Sequence, residues 1–391
     1  MNWNDKTAAN VKAIKPSGIR KFFDIAAQVK GVLSLSIGEP DFAAPDKVLA
    51  AMKASLDAKE TSYTGNSGMM ELREAISQHF EKRYGVHYDP KDEILVTVGV
   101  SEGLAMALLA ITEPGDEVII PDPAYVAYPA SVELAGGTPV FVPTYPEHDF
   151  KLTVEALEKV ITPKTKAIVI GYPNNPTGTV MSAEELMPIA KFAEEHDLIV
   201  LSDEIYCELM YGDAQFTSFA KLPGMRERTV IFNGFSKAYA MTGMRLGYVC
   251  APREGLAPIL KLHQYAIMCA NTTAQVGGIT ALKECDDDVE AMRQEYDRRR
   301  KVIYKGLCDM GLPVFEPKGA FYIFPDIRCT GMTSAEFCEK LVQEEKVAVV
   351  PGTAFGDQGE GFVRISYAAS MDTIQEALKR MARFVAKYRK D

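Results

Sequence analysis

The sequence predicts an α/β fold: a large domain with a mainly parallel seven-stranded sheet covered by helices, joined to a smaller α+β domain. Three observations carry this. Between residues 93 and 252, short β-branched apolar runs alternate with longer helical patterns. From about residue 286 the pattern changes to a long polar helix, short strands and two further helices. The 391 residues, 47% hydrophobic and 25% charged, suffice for two or three ordinary domains.

The first 45 residues have no strand series of their own and are expected to pack with the C-terminal part. The expected division is therefore 46–285 for the large domain and 1–45 with 286–391 for the small one. The strand candidates are EILVTVG (93–99), EVIIPD (117–122), TPVFVP (138–143), KAIVIGYP (166–173), LIVLSDEIY (198–206), TVIFNGFSK (229–237) and RLGYVCAP (245–252). Near-continuous apolar runs suit strands buried on both faces, as in a helix-covered parallel sheet. The last two lie too close for a helical crossover, so one strand should run antiparallel. Helices are expected at 101–112 and 182–197, the second opened by Ser182 and Glu185 in capping-box spacing. Beyond 286 follow a polar helix to about 311, strands around AFYIF and FVRISYA, a helix capped by Thr333 and Glu336, and an amphipathic last helix.

The 43 basic and 53 acidic residues leave a net charge of −10. That sign argues against nucleic acid as a partner, so any bound phosphate must be held locally. Seven scattered cysteines with no C-x-x-C pair point to reduced thiols, and five histidines show no metal-ligand spacing. No apolar run approaches a membrane span and MNWNDKTAANVKAIKP lacks the core of a signal peptide, so the expected compartment is the cytoplasm, with no metal and no membrane.

In an open α/β sheet, ligands bind beyond the carboxyl ends of the strands. Those ends carry Gly99-Val100-Ser101, Asp122-Pro123-Ala124-Tyr125, Asn174-Asn175-Pro176-Thr177-Gly178, Asp203-Glu204-Ile205-Tyr206 and Ser236-Lys237. Each alone has a plain structural explanation: a turn, a helix cap, a snorkelling lysine. GDQGEG (356–361) lacks the flanking strand and helix of a nucleotide loop and reads as a plain loop.

Together the order and spacing resemble the class I/II aminotransferase family of fold type I pyridoxal-phosphate enzymes. SKAYAMTGMRLGY (236–248) is similar to the segment around that family's Schiff-base lysine, and YPNNPTG (172–178) and SDEIY (202–206) to its other marks. LSIGEPDF (35–42), YTGNSGMMELREAI (63–76), PKGAFYIF (317–324) and FVRISYA (362–368) extend the resemblance over nearly the whole chain. It implies pyridoxal 5'-phosphate as cofactor and ping-pong transfer of an amino group between an L-amino acid and a 2-oxo acid. Lys237 would be Schiff-base lysine and proton shuttle, and Asp203 would keep the pyridine nitrogen protonated. Asn175 and Tyr206 would hydrogen-bond the ring oxygen, and Tyr125 would stack on the ring. Backbone N–H groups of Val100 and Ser101, with Ser236 and Arg245, would hold the phosphate. Arg364, Asn175 and the backbone N–H of Gly38 would bind the substrate, Arg364 gripping its carboxylate, and Tyr63 would reach the cofactor phosphate of a second subunit in a homodimer.

Three positions depart from the pattern. Gly234 replaces a Ser or Thr that binds phosphate in many relatives, and Met244 a frequent Trp. Ser101 stands where some aspartate-preferring relatives carry a basic residue, which weakens a dicarboxylate preference. The alternative reading is a cystathionine-type Cβ–S lyase of the same fold, sharing every cofactor residue. A third, a non-catalytic effector-sensing domain, lacks a preceding basic helix-turn-helix segment. The substrate side chain is expected to meet the segment near Lys15 to Ile19.

Overall fold

In the computed structural model, residues 1–14, 18 and 29–390 are described. The segment near Lys15 to Ile19 therefore lies, apart from residue 18, outside the described residues. Among the rest, short β1 (Leu33–Ser34) comes first, and all seven expected strands then follow. These are β2 (Ile94–Thr97), β3 (Glu117–Asp122), β4 (Thr138–Pro143), β5 (Thr165–Ile170), β6 (Ile199–Asp203), β7 (Thr229–Gly234) and β8 (Gly247–Cys250). They form one sheet in the order β2-β8-β7-β6-β5-β3-β4. The strand predicted to reverse is β8, antiparallel to both β7 and β2. The apolar runs are explained by burial on both faces: β2, β7 and β8 are buried at every position.

Helices cover both faces of this sheet. The Gly99–Ile111 helix begins two residues earlier than its sequence pattern suggested. The Ala183–Glu195 helix opens with the Ser182/Glu185 capping box, both reciprocal bonds present. Leu186, Ile189, Ala190, Phe192 and Ala193 form its buried stripe, at the 3–4 spacing that makes one helical face.

The C-terminal part carries β9 (Tyr322–Ile323), β10 (Val347–Ala348), β11 (Val350–Pro351) and β12 (Val363–Ser366). β11, β12 and β9 make a three-stranded sheet, and β1 pairs in parallel with β10. The N-terminal segment is thus hydrogen-bonded to the C-terminal part. The Asp286–Asp309, Ser334–Glu345 and Met371–Tyr388 helices pack here, the second with its Thr333/Glu336 capping box. One apolar cluster gathers Leu35 with residues such as Tyr296, Phe337, Ile365 and Phe384, and reaches Tyr206, Leu209 and Tyr211 at the seam with the large sheet.

Candidate active site

The strand ends set the site. β5, β6 and β7 run in parallel and end at Ile170, Asp203 and Gly234, delivering Asn175, Asp203 and Lys237 to one edge. Because β8 is reversed, the residue leading into it, Arg245, arrives at that same edge. A cavity of about 370 Å³ is lined by Gly38, Val100, Ser101, Tyr125, Asn175, Asp203, Tyr206, Ser236, Lys237, Arg245 and Arg364. Every residue that the resemblance implicated lines it except Tyr63, which lies elsewhere and is 78% exposed.

The Asn-Pro-Thr-Gly segment closes a turn and also presents a side chain to the cavity. The Asn174 Oδ1 accepts from the Thr177 hydroxyl at 2.9 Å and from its N–H at 3.3 Å, an Asx-type closure. That turn leaves Asn175 free to face the cavity, where its Oδ1 accepts from Arg364 Nη1 at 3.0 Å.

Arg364 lies in β12 and is 2% exposed. Its guanidinium sits 4.6 Å from the Tyr322 ring centre and 4.8 Å from that of Phe355, and Nη2 donates to the Ser36 carbonyl at 2.6 Å. Its Nε is buried without a partner. A desolvated guanidinium with unspent donors is chemically suited to a carboxylate.

Lys237 is partly buried, and Nζ donates to the Gly38 carbonyl at 2.7 Å. Burial, then the nearby Arg364, lowers its pKa to about 8. Gly38 therefore presents its carbonyl to the lysine. A side chain there would collide with the Tyr322 hydroxyl, 2.4 Å from where a Cβ would stand. Tyr322 also shares a 2.7 Å hydrogen bond with Tyr206.

Asp203 is buried, and desolvation raises its pKa. Two donors oppose that: the Tyr128 hydroxyl at 2.8 Å from Oδ2 and the Ile205 N–H at 3.2 Å from Oδ1. Sequence reasoning missed Tyr128 and Tyr322. Tyr128 lies three residues after Tyr125, and their rings meet edge to face at 5.6 Å.

At the opposite wall, Gly99 opens its helix at φ +74°, and a Cβ there would lie 2.6 Å from Arg245 Nη2. Helix N–H groups and a guanidinium thus converge where only a glycine permits it, a ready phosphate cradle. At Gly234, a Cβ would meet the Gly247 Cα at 2.8 Å, so the departure noted there follows from close strand packing. The Thr242 hydroxyl donates to the Glu39 carboxylate, and both line the cavity. An anion cradle, a partly desolvated amine and a buried carboxyl around one cavity fit pyridoxal phosphate.

The profile of the family "Aminotransferase class I and II" matches residues 30–381. The chain belongs to this family. It is 53% identical over 377 residues to a putative aminotransferase of Bacillus subtilis, covering 96% of this chain and 97% of that protein. It is 51% identical to an aspartate aminotransferase of Pyrococcus abyssi, covering 94% and 95%. The crystal structure of an aromatic aminotransferase from Pyrococcus horikoshii superposes with a TM-score of 0.90 at 49% identity, covering 94% of this chain and 99% of that one. This class I/II aminotransferase has the fold type I architecture and depends on pyridoxal phosphate. It moves amino groups between an amino acid and a 2-oxo acid, and the comparisons favour that over the lyase alternative. Among the described residues no helix is long and apolar enough to cross a membrane.

Proposed function

We propose that this transamination is carried by Lys237, Asp203 and Arg364, supported by one observation: an amine of lowered pKa, a buried carboxyl and a desolvated guanidinium line a single cavity. Lys237 is the point of covalent attachment for the cofactor. Pyridoxal phosphate, when bound, supplies the electron sink that weakens the substrate's Cα–H bond. The Lys237 Nζ, neutral above about pH 8, takes the proton from Cα and returns it on the other side of the reaction. Asp203, whose ionised form is favoured by the Tyr128 and Ile205 donors and opposed by burial, holds a proton on the ring nitrogen. Asn175 and Tyr206 orient the ring oxygen, and Tyr125 covers the ring face. Val100, Ser101, Ser236 and Arg245 hold the phosphate, and Arg364 grips the substrate carboxylate, with the backbone of Gly38 beside it.

The domain division at residues 46–285 against 1–45 with 286–391 belongs to the same reading, supported by the β1–β10 pairing and the C-terminal apolar cluster. So does a homodimer in the cytoplasm. Tyr63 at 78% and Tyr265 at 86% exposure are large rings left in solvent by the single chain, and Tyr63 is assigned to the neighbouring subunit's cofactor phosphate. The seven free thiols suit a reducing compartment.

Lys237→Ala tests the central assignment. Transamination should fall by at least about 10³-fold, with the visible absorbance of the lysine-bound cofactor gone while the fold is kept. Turnover near the native rate in that variant refutes it. Screening amino donors against 2-oxoglutarate and pyruvate then names the substrate side chain.

A further inference from the structure

Asp122 ends β3, is 5% exposed, and takes no part in the chemistry assigned above. Its carboxyl points to the 356–361 loop that the sequence left without a role. A Cβ at Gly356, whose φ is +135°, would lie 1.9 Å from Asp122 Oδ1, so the loop backbone closes directly over the carboxyl. Oδ2 accepts from the Gln358 N–H at 3.4 Å, and Oδ1 is buried with no hydrogen-bond partner. Two residues on, the Ala124 N–H donates to the Phe355 carbonyl at 2.9 Å. Phe355, immediately before this turn, is one of the two rings against Arg364.

The large sheet and the three-stranded sheet are thus joined at this point. On the small-sheet side, Gly352 N–H donates to the Phe362 carbonyl at 2.9 Å, and β12 with Arg364 begins one residue later. Glu360 Oε1 accepts from the Ser334 N–H at 2.9 Å, tying the loop's far end to the Ser334–Glu345 helix. The 356–358 turn thus lies between this tie and Phe355.

We propose that Asp122 is a positioning residue for substrate binding: its carboxylate, closed over by the Gly356–Gln358 turn, holds Phe355 against Arg364 and so sets the grip on the substrate carboxylate. This rests on Arg364 being the carboxylate receptor. The aromatic wall excludes water from the guanidinium, and a weakened turn lets water in and weakens the charge-assisted contact.

The charges that act on Asp122 support a role visible in the working pH range. Burial raises its pKa to about 6, with Asp357 in the turn raising it further and the N–H groups of Gln358 and Asp357 opposing. From beyond β4 it meets Thr144, whose hydroxyl donates to the Asp122 carbonyl at 2.9 Å. The folded-state pKa lies above the ordinary carboxylate value. The folded protein therefore binds this proton more tightly than the unfolded chain, and the ionised form lowers stability above about pH 6. A carboxylate that costs stability at neutral pH is better explained by binding than by folding.

Asp122→Asn keeps the shape and removes the charge. KM for the amino donor at pH 8 should rise about fivefold, the difference between a charge-assisted and a neutral hydrogen bond, with kcat within about twofold. The Ki of propionate as a competitive carboxylate should rise in parallel. Between pH 8 and pH 5 the ratio of variant to wild-type Ki, each referred to ionised propionate, should fall from about fivefold to one. Thermal stability at pH 8 should not fall. Wild-type and variant Ki values that coincide at both pH values overturn the proposal, as does a fall in kcat with KM unchanged. Should that variant fail to fold, Gly356→Ala strains the same junction from the loop side and must raise KM and Ki likewise. Arg364→Lys separates the layers. Raised Ki there with an unchanged Asp122→Asn overturns the latch alone, whereas an unchanged Arg364→Lys overturns the carboxylate assignment beneath it.

Discussion

Arg245 and Arg364 line one cavity, yet their surroundings share almost nothing. Arg245 is exposed, sits at left-handed φ +49° before β8, and spends Nη1 on the Thr242 carbonyl at 3.1 Å. Arg364 is 2% exposed between two aromatic rings, with its fork partly used by Asn175 and the Ser36 carbonyl. At the first, a guanidinium supplements backbone N–H groups at a helix start, so no single side chain decides anion binding. At the second, one buried side chain dominates, and its proposed grip on a carboxylate draws strength from exclusion of water. One end suits a group that stays, the other a group that must be recognised and released each turnover.

The largest effect should therefore come from Arg364. Arg364→Lys keeps the charge and loses the planar fork, and kcat/KM for any amino donor should fall by about 10²-fold or more while cofactor affinity holds. Equal losses in cofactor affinity and kcat/KM would show that the two arginines do not divide the labour. A smaller effect, with the opposite signature, is expected at the other end. Gly99→Ala places a methyl at φ +74° against Arg245 Nη2, pushing that side chain out of the cradle. Cofactor affinity should drop about tenfold, the scale of one lost charge-assisted contact, with KM unchanged at saturating cofactor. Equilibrium titration of cofactor into cofactor-free protein reads this directly.

The contrast also explains what was legible in the sequence. β2 to β8 were readable because a strand buried on both faces must be apolar along its length, and strand ends then picked out Asn175, Asp203 and Lys237 by position, with Arg245 added through resemblance. The carboxylate end depends on contacts between distant segments. β1, β10 and β11 are two residues long, too short for any period to show, and although AFYIF read as a strand, its Tyr322 reaches Arg364 only because β9 pairs with β12. Tyr128 was hidden differently: it sits inside the apolar Ala127–Leu134 helix, where a tyrosine reads as core. FVRISYA gave Arg364 through resemblance, while its second ring, Phe355, carried no local signal, and Asp122 was visible only as a strand end with no partner in view.

The smallest predicted effect measures the two arginines with one ruler. Both lower the Lys237 pKa, and Arg364 is the stronger of the two. A lysine whose folded-state pKa is about 8 is mostly neutral, and so nucleophilic, above that pH and protonated below it. The rate at which cofactor-free protein captures pyridoxal should thus rise with pH and level off above about 8. Pyridoxal lacks the phosphate, so the Arg245 cradle does not confuse the reading. Removing a neighbouring positive charge makes protonation easier, so the midpoint must move up in Arg364→Gln and less far up in Arg245→Gln. Equal shifts would mean that solvent screens neither guanidinium more than the other, and that the exposed and buried arginines differ in shape but not in electrostatic reach. A larger shift in Arg364→Gln ties the low pKa of the lysine to the same dehydration that makes Arg364 a carboxylate receptor. Recognition of the substrate's carboxylate would then neutralise the charge that depresses Lys237, so that carboxylate binding itself makes the amine a better proton acceptor.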